Sequence, residues 1–257
     1  MVSMNDSVLD QLLTHRSIRH FKKRALTTEQ VKKLVSVAQH ASTSTFSQQY
    51  SIISVTDPKT LKAIATITGH PWLLDSGHYF VVIADQYRNL QIAQKQGADP
   101  FILHTTDKFL ASVFDAAIAT ENIMVAAESM GLGATIMGSI LNDSMQMIEL
   151  LNLPKLTFPL LGIAIGYPDD QPELKPRMPQ SEMHFENRYQ LPQDDAQLDR
   201  YNKLLAAYYQ KRGTNRRTET FSHHIVAELG RPHQVRADLL DNIKSQGFLI
   251  NQTGSKM

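Results

Sequence analysis

The sequence predicts an α+β fold, and three observations support this prediction. Short segments rich in β-branched and aromatic residues, typical of buried strands, are few. Segments with the apolar spacing of amphipathic helices are more numerous, and they separate the strands unevenly. A doubly wound sheet would need a more regular alternation of strands and helices, and more strands.

The predicted strands lie in the first two thirds of the chain. Asp57 and Pro58 follow the first strand, and Gly166 ends the last one, because these residue types favour turns over regular pairing. The strands are predicted at residues 49–55, 78–84, 134–137 and 160–165.

The helices are predicted from apolar periodicity together with start and stop signals. Thr27 or Thr28 is a suitable N-cap, Gly69 and Gly131 are suitable C-terminal stops, and Asn142 is a suitable cap for the helix that follows. The predicted helices, after a short amphipathic one at the N-terminus, cover residues 28–40, 58–67, 107–130, 142–152, 194–211, 218–229 and 234–246. The longest carries a stripe of small residues and methionines at Val113, Ala116, Ala117, Thr120, Met124, Ala127 and Met130, which favours a central core helix.

Composition excludes several classes of protein. The 257 residues include 26 Lys and Arg against 25 Asp and Glu, and no Cys, so the net charge is +1. Without cysteine there is no disulfide, no Cys-ligated zinc, no iron–sulfur cluster and no thiol nucleophile. A nearly neutral chain is a poor candidate for nucleic-acid binding.

We expect one domain spanning residues 1–257, with an extended, proline-rich excursion at about 168–192 and a C-terminal helical extension at about 194–250. The N-terminus lacks the charge pattern of a signal peptide. The most apolar run, residues 158–167, is about half as long as a membrane-spanning helix. A cytoplasmic protein that neither enters a membrane nor binds nucleic acid is therefore expected.

Two patterns suggest cofactor or metal motifs but do not satisfy them. Gly131-Leu132-Gly133 follows a helix and precedes a strand, the reverse of a dinucleotide fingerprint, and Ile136 replaces the third small residue. His223 and His224 are adjacent and diverge on a helix, so no metal site is expected.

Four polar segments carry groups that suit anions or a planar heterocycle. Residues 15–21, HRSIRHF, bring together arginine, histidine and serine donors, which a phosphate requires. Residues 41–48, ASTSTFSQ, offer hydroxyl and amide groups. Residues 166–179 hold two cations around a proline, and residues 208–217 hold four cations around a glycine. Taken singly, each also fits an exposed polar loop.

Taken together and in this order, the motifs resemble the nitroreductase family of flavoproteins, in its NADPH-dependent, oxygen-insensitive nitroreductase and flavin reductase branch. The segments that carry the resemblance are HRSIRHF, STSTFSQ, AAESMGLGATIMG, GYPDDQPELKPRMP and YYQKRGTNRR followed by FSHHI, which together span about residues 10–250. The resemblance implies the nitroreductase fold: a mostly antiparallel sheet flanked by helices, in an interlocked homodimer with one FMN in each interface cleft.

The resemblance also implies roles for individual residues. The FMN phosphate is expected to contact His15, Arg16, Ser17, Arg19, Lys175 and Arg177. The isoalloxazine is expected to lie against Thr43, Ser44 and Thr45, contributed across the dimer, and against Met137, Gly138 and Ser139, with the backbone N–H of Gly138 at flavin N5. The 2′-phosphate of NADPH is expected at Arg212, Arg216 and Arg217, and the electron acceptor near Phe46 and Arg231. No metal and no catalytic side chain is expected, because the chemistry takes place on the flavin.

Three positions depart from the pattern of the branch. Ser139 replaces a second glycine, and Ile136 replaces a tyrosine. A glutamine that contacts the flavin in relatives would fall near His70 or Pro71, where the chain is one residue shorter. These changes bear on the shape of the substrate pocket and on the flavin potential.

The expected reaction is hydride transfer from NADPH to electron-poor acceptors, such as nitroaromatics, quinones, azo compounds or flavins, by a ping-pong mechanism. One alternative is an NADPH:FMN flavin reductase that supplies free reduced flavin to a partner. Another is a flavin-binding protein without catalytic turnover.

Overall fold

The computed structural model describes residues 4–212, 217–230 and 236–250, and the chain divides into two compact units. One unit consists of Met1–Gln171 and Arg236–Met257 and contains the sheet, and the other is Pro172–Val235. The first boundary, after Gln171, lies within the predicted excursion at about residues 168–192, and the second, before Arg236, lies within the predicted helical extension at about 194–250. The organisation as a single domain stays a prediction.

The sheet of the first unit has four strands in the order β1-β2-β4-β3, and every neighbouring pair is antiparallel. The strands are β1 (Tyr50–Val55), β2 (His78–Asp85), β3 (Gly133–Met137) and β4 (Thr157–Gly166). The pairing of β2 with β4 contains a register shift between Val82 and Ile83. The α+β prediction and its mostly antiparallel sheet are confirmed.

The helices of the described residues agree closely with the predicted segments. They are α1 (Met4–Leu13), α2 (Thr28–Gln39), α3 (Pro58–Thr68), α4 (Tyr87–Lys95), α5 (Thr106–Ser129), α6 (Ser144–Leu150), α7 (Ala196–Lys211), α8 (Phe221–Leu229) and α9 (Leu239–Ser245). Helices α7 and α8 belong to the second unit. Helix α4 was not predicted, because it is short and mostly polar and none of its residues is buried, although its few apolar residues do have helical spacing.

Local side-chain bonds explain where most helices begin and end. Thr27 caps α2 in a reciprocal capping box with Gln30, and Gly69 ends α3 with a left-handed φ of 70°. The predicted cap Asn142 is wrong. Asp143, the last residue of the 3₁₀ turn that also contains Asn142, caps α6 instead, because its carboxylate accepts the N–H of Gln146 at 2.8 Å.

Alternating residues of the central strands pack on opposite faces of the sheet. Phe80 and Val82 of β2 join the core beneath α2 and α5, whereas Tyr79 and Val81 join the core beneath α3 and α6. This is the two-residue period of a strand that is covered on both faces. Burial of each such side chain contributes about 1.5–3 kcal/mol.

Helix α5 is the central helix of the first core. Its 24 residues are long and apolar enough to cross a membrane by length and composition, but 56% of its apolar window is buried in this unit. Ala116, Ala119 and Ala127 are fully buried and allow close contact with the sheet. The prediction of a core helix is confirmed, although Ala117, which was placed in the buried stripe, is exposed.

We predict that Gly162→Ala destabilises the fold and that Gly138→Ala does not. A Cβ at Gly162 would collide with the hydroxyl of the buried Tyr79 and would lie 2.7 Å from its Cζ, whereas a Cβ at Gly138 meets no atom within 4 Å. Overpacking of this kind costs about 1–3 kcal/mol. Urea unfolding of the two variants measures the difference, and an equal loss in both would contradict it.

Candidate functional site

The segment at residues 15–22 lies along the sheet and is fixed to it by backbone bonds. Ile18 donates its N–H to the carbonyl of Ala134 at 3.0 Å, and its own carbonyl accepts the hydroxyl of Thr135. Further along, Lys22 N–H bonds to the carbonyl of Tyr167 at 2.9 Å. The segment thus runs from β3 to the end of β4.

Two glycines make room for this segment. A Cβ at Gly133 would lie 2.5 Å from a side-chain carbon of Ile18, and a Cβ at Gly166 would lie 2.8 Å from the ring of Phe21. Ile18 and Phe21 are buried, whereas Arg19 is exposed to solvent. The packing therefore leaves the charged group of the segment available to a ligand.

His15 and Arg16, at the start of this segment, have different surroundings. The ring N–H of His15 donates from Nδ1 to the carboxylate of Glu128 at 2.6 Å. Arg16 donates from Nη1 to the carbonyl of Thr14 at 3.1 Å, but its buried Nε has no hydrogen-bond partner among the described residues. A donor in this state is ready to bind an acceptor from a ligand.

A cavity of about 680 Å³ opens beside Arg16. Its wall carries both signs of charge and consists of Gln11, Thr14, Arg16, Ile18, Lys22, Glu128, Gly131, Leu132, Pro168, Asp169, Asp170 and Gln171. None of the residues predicted to lie against the isoalloxazine is among them. This cavity is therefore separate from the predicted ring site.

The turn after β3 provides an open backbone position. Nothing lies within 4 Å of the place where a Cβ of Gly138 would be, so a planar group can approach the backbone there. The neighbouring Ser139 hydroxyl is buried and has no partner among the described residues. Gly138 lies four positions after Ala134, the neighbour of Ile18, and this separation is about 13 Å of extended chain. These groups fit a ligand with a phosphate at one end and a flat ring at the other, as in FMN.

Residues 43–45, which were predicted to lie against the isoalloxazine, are in the turn between α2 and β1. It leads through a 3₁₀ turn, Ser44–Phe46, into β1, and the side chain of Phe46 is 81% exposed. Because β1 and β3 are opposite edges of the four-stranded sheet, this turn and Gly138 belong to edges about 14 Å apart. The fold of one chain does not bring them together.

The buried polar residues that fix this turn were missed by sequence reasoning. Asp115 and Gln49 are each 1% exposed, and Gln49 donates from Nε2 to the Asp115 carboxylate at 3.3 Å. A signal was present, since Asp115 stands four and eight positions before the buried Ala119 and Ile123 on α5. A charged residue on a core-facing stripe is uncommon unless it is bonded.

In the second unit, cations from two predicted motifs meet around one aromatic ring. The buried Tyr209 has Arg217 at 4.2 Å, Lys175 at 5.7 Å and Arg212 at 5.8 Å from its ring centroid. The guanidinium of Arg217 also pairs with Glu219. Lys175 and Arg212 were predicted to bind different phosphates, and the fold of this unit places both against one tyrosine.

Arg177, the second cation of the excursion, lies near Tyr201 of α7. Burial raises the pKa of the Tyr201 hydroxyl, and the charge of Arg177 opposes this effect. The same hydroxyl donates to the carbonyl of Pro176 at 3.2 Å and so fixes this part of the excursion on α7. Arg216 and Arg231 lie outside the described residues. Within the described residues, no group of three His, Asp or Glu side chains could hold a metal ion.

An apolar surface on the first unit has no cover among the described residues. Leu110, Phe114 and Ile118 of α5 stand at intervals of four residues and are 45%, 57% and 43% exposed. Leu12 and Leu13 of the neighbouring α1 are also exposed, and Gln11 ties α1 to α5 through the carbonyl of Val125 at 2.7 Å. Exposed apolar side chains on successive turns of one helix are typical of a protein interface.

Comparison with protein families gives two matches. A model of the nitroreductase family matches residues 12–167, and a model of the C-terminal domain of the same family matches residues 175–251. Together they cover most of the chain, and they include the polar segments 15–21, 41–48 and 208–217 in full and both ends of the segment 166–179.

Individual relatives cover nearly the whole chain. An FMN reductase (NADPH) from Bacillus subtilis is 38% identical over 252 residues, which are 96% of this chain and 100% of the relative. An NADPH-dependent oxidoreductase from Staphylococcus epidermidis is 37% identical over 251 residues, 96% of this chain and 99% of the relative.

Solved structures agree with these matches. The NfrA1 nitroreductase from B. subtilis has a TM-score of 0.89 at 38% identity, over 95% of this chain and 100% of its own. The NADPH:FMN oxidoreductase from Vibrio harveyi, in complex with NAD+, has a TM-score of 0.84 at 30% identity, over 95% of this chain and 99% of its own. The predicted family resemblance is confirmed.

Proposed function

Because the chain belongs to the nitroreductase family, we propose that it is an FMN-dependent oxidoreductase that takes electrons from NADPH and reduces electron-poor small molecules. The observation that carries the proposal is the open backbone at Gly138 beside the unpartnered hydroxyl of Ser139. Relatives named as an FMN reductase (NADPH) and as NADPH-dependent oxidoreductases support it.

The proposed FMN site uses the residues singled out in the sequence. His15, Arg16, Ser17 and Arg19 hold the phosphate, and Lys175 and Arg177 of the second unit are proposed for the same group. Met137, Gly138 and Ser139 lie beside the ring, with the Gly138 N–H donating to it. Thr43, Ser44 and Thr45 form the wall of the partner subunit's site, and Phe46 and Arg231 face the acceptor.

FMN, when bound, supplies the two-electron chemistry that links NADPH to the acceptor. The protein's contribution is to bind, orient and stabilise charge. We assign no side chain as a general acid or base, because solvent supplies the protons. One cleft that receives NADPH and then the acceptor gives ping-pong kinetics.

The acceptors proposed are nitroaromatics, quinones, azo compounds and flavins. A second role, the supply of free reduced flavin to a partner, is favoured by the name of the B. subtilis relative. The ratio of turnover on free FMN to turnover on a nitrofuran separates the two roles. We propose that the enzyme acts in the cytoplasm, which agrees with its lack of cysteine.

We further propose that the working form is a homodimer. The uncovered apolar residues of α1 and α5 fit a self-complementary interface. Within one chain, the turn before β1 and Gly138 lie at opposite edges of the sheet. In a dimer, the turn before β1 of one subunit can face Gly138 of the other.

The first prediction from this proposal concerns flavin and electron donor. The purified chain should bind FMN at an equimolar ratio, and anaerobic NADPH should bleach the flavin faster than NADH, with a quinone restoring the colour. Gly138→Val should lower FMN affinity by about tenfold or more, corresponding to about 1.4 kcal/mol, because its side chain occupies the open position. Stopped-flow absorbance and fluorescence titration measure both effects. A colourless protein that ignores added FMN would refute the proposal.

The second prediction concerns NADPH. Arg212→Ala and Arg217→Ala should each raise the KM for NADPH by about tenfold, the loss expected for a charge-assisted hydrogen bond to phosphate. The KM for NADH should change little. Lys203→Ala, an exposed cation on α7, is the matched control and should affect neither. Equal effects on both donors would dismiss the 2′-phosphate role.

The third prediction concerns the dimer. The native protein should have close to twice the chain mass of 28.9 kDa in light scattering, and Phe114→Lys should shift it towards the single-chain mass. A buried, unpaired charge in an apolar interface costs several kcal/mol. Ile92→Lys on α4, where the native side chain is 54% exposed, is the control. A native protein of single-chain mass would overturn the assignment.

A further inference from the structure

The turn between α2 and β1 is attached at both ends to one buried carboxylate of α5. Asp115 accepts the N–H of Ser44 at 2.7 Å on Oδ1 and the N–H of Gln49 at 3.0 Å on Oδ2. Gln49 adds a bond from Nε2 to Oδ2 at 3.3 Å. A single side chain therefore closes a loop whose ends are five residues apart in sequence.

A second layer of side chains holds this arrangement in place. Gln86 donates from Nε2 to Oε1 of Gln49 at 2.6 Å and also to Ser112 Oγ at 3.0 Å. Gln86 and Ser112 are fully buried. Within the described parts of the chain, Asp115 has no ion pair. The buried carboxylate is therefore stabilised by neutral donors, the backbone N–H groups of Ser44 and Gln49 and the side-chain amide of Gln49.

The loop that Asp115 closes has an unfavourable backbone. Thr45, Phe46 and Gln48 have φ values of 51°, 57° and 48°, in the left-handed region that favours glycine. Each such residue costs about 1–2 kcal/mol. A loop with three of them needs strong attachments, and the bonds at Ser44 and Gln49 lie on either side of the strained positions.

We propose that Asp115 is a positioning residue for the flavin site, which rests on the proposed function of residues 43–45 as a wall of that site. Its carboxylate holds the strained turn in the one conformation that presents Thr45 to the isoalloxazine and Phe46 to the acceptor. Asp115 does not touch the flavin, and its effect passes through the backbone of Ser44 and Gln49.

The position of Asp115 on α5 also connects this turn with the proposed dimer interface. Phe114, the preceding residue, is 57% exposed on the apolar face, while Asp115 points into the protein. One helix therefore fixes both the face that meets the partner and the turn that reaches the partner's flavin.

The main test is Asp115→Asn. This change keeps the volume but places an amide N–H₂ against a backbone N–H, so that one loop end loses its acceptor. We expect FMN affinity to fall by about tenfold, and the amide protons of Ser44 and Gln49 to exchange about tenfold faster. Fluorescence titration and hydrogen exchange measure these two effects.

Thr120→Val is the matched control on the same helix. Thr120 is fully buried, and its hydroxyl bonds to the carbonyl of Ala116 at 2.7 Å, away from the turn. This variant should lose stability without any change in exchange at Ser44 and Gln49 or in FMN affinity. If Asp115→Asn alters both no more than Thr120→Val does, the proposal is overturned.

A second pair of variants leaves the buried carboxylate in place. Ser44→Pro removes the backbone donor together with the hydroxyl, and Thr43, with φ −130° and ψ 150°, already has the conformation preferred before proline. Ser44→Ala removes only the hydroxyl. The proposal requires Ser44→Pro to weaken FMN binding more than Ser44→Ala, and the opposite order would contradict it even if Asp115→Asn does not fold.

The two proposals fail in distinguishable ways. If the native protein binds no FMN, the proposed function is wrong, and hydrogen exchange still tests whether Asp115 holds the turn. Suppose instead that the native protein binds FMN, and that Asp115→Asn speeds hydrogen exchange at Ser44 and Gln49 without lowering FMN affinity. The turn is then no part of the flavin site, and the positioning role is wrong.

Discussion

The close packing of α5 against the sheet is the contact on which the other parts of the first unit depend. Small side chains such as Ala116, Ala119 and Ala127 bring the helix against the strands. The remaining sides of α5 then bind three segments near the proposed site. Glu128 holds His15, the carbonyl of Val125 holds α1, and Asp115 holds the turn before β1. A shift of this helix would therefore move each part together.

Much of the fold could be predicted because its signals are local. The capping box at Thr27, the left-handed Gly69 and the apolar periods depend on neighbours within a few residues. Helix α4 is short and mostly polar, and it has no side-chain cap. The choice of Asp143 over Asn142 as the cap of α6 depended on the geometry of the 3₁₀ turn that contains both residues. The strained turn at Thr45 and Phe46 was also hidden, because neither residue type favours a positive φ.

The candidate site was predictable in its residue types but not in their grouping. A net charge of +1 conceals clusters of cations, and the sequence indicates them as separate motifs. In the second unit, Lys175 joins Arg212 and Arg217 around Tyr209, although some 35 residues separate them in the chain. In the first unit, His15 is hydrogen-bonded to Glu128 of α5, which is distant in sequence. Pairings of this kind depend on tertiary packing, which no local pattern reports.

The strand order adds a constraint that links the site to assembly. The turn before β1 and the turn after β3 both carry features suited to a flat ring, but they belong to opposite edges of one sheet. No rearrangement of side chains can cross that distance, because the strands between them are buried on both faces. A cleft that uses both turns must therefore combine two sheets. The uncovered apolar face of α5 provides a means of combining them, since it lies on the same helix whose Asp115 holds one of the two turns.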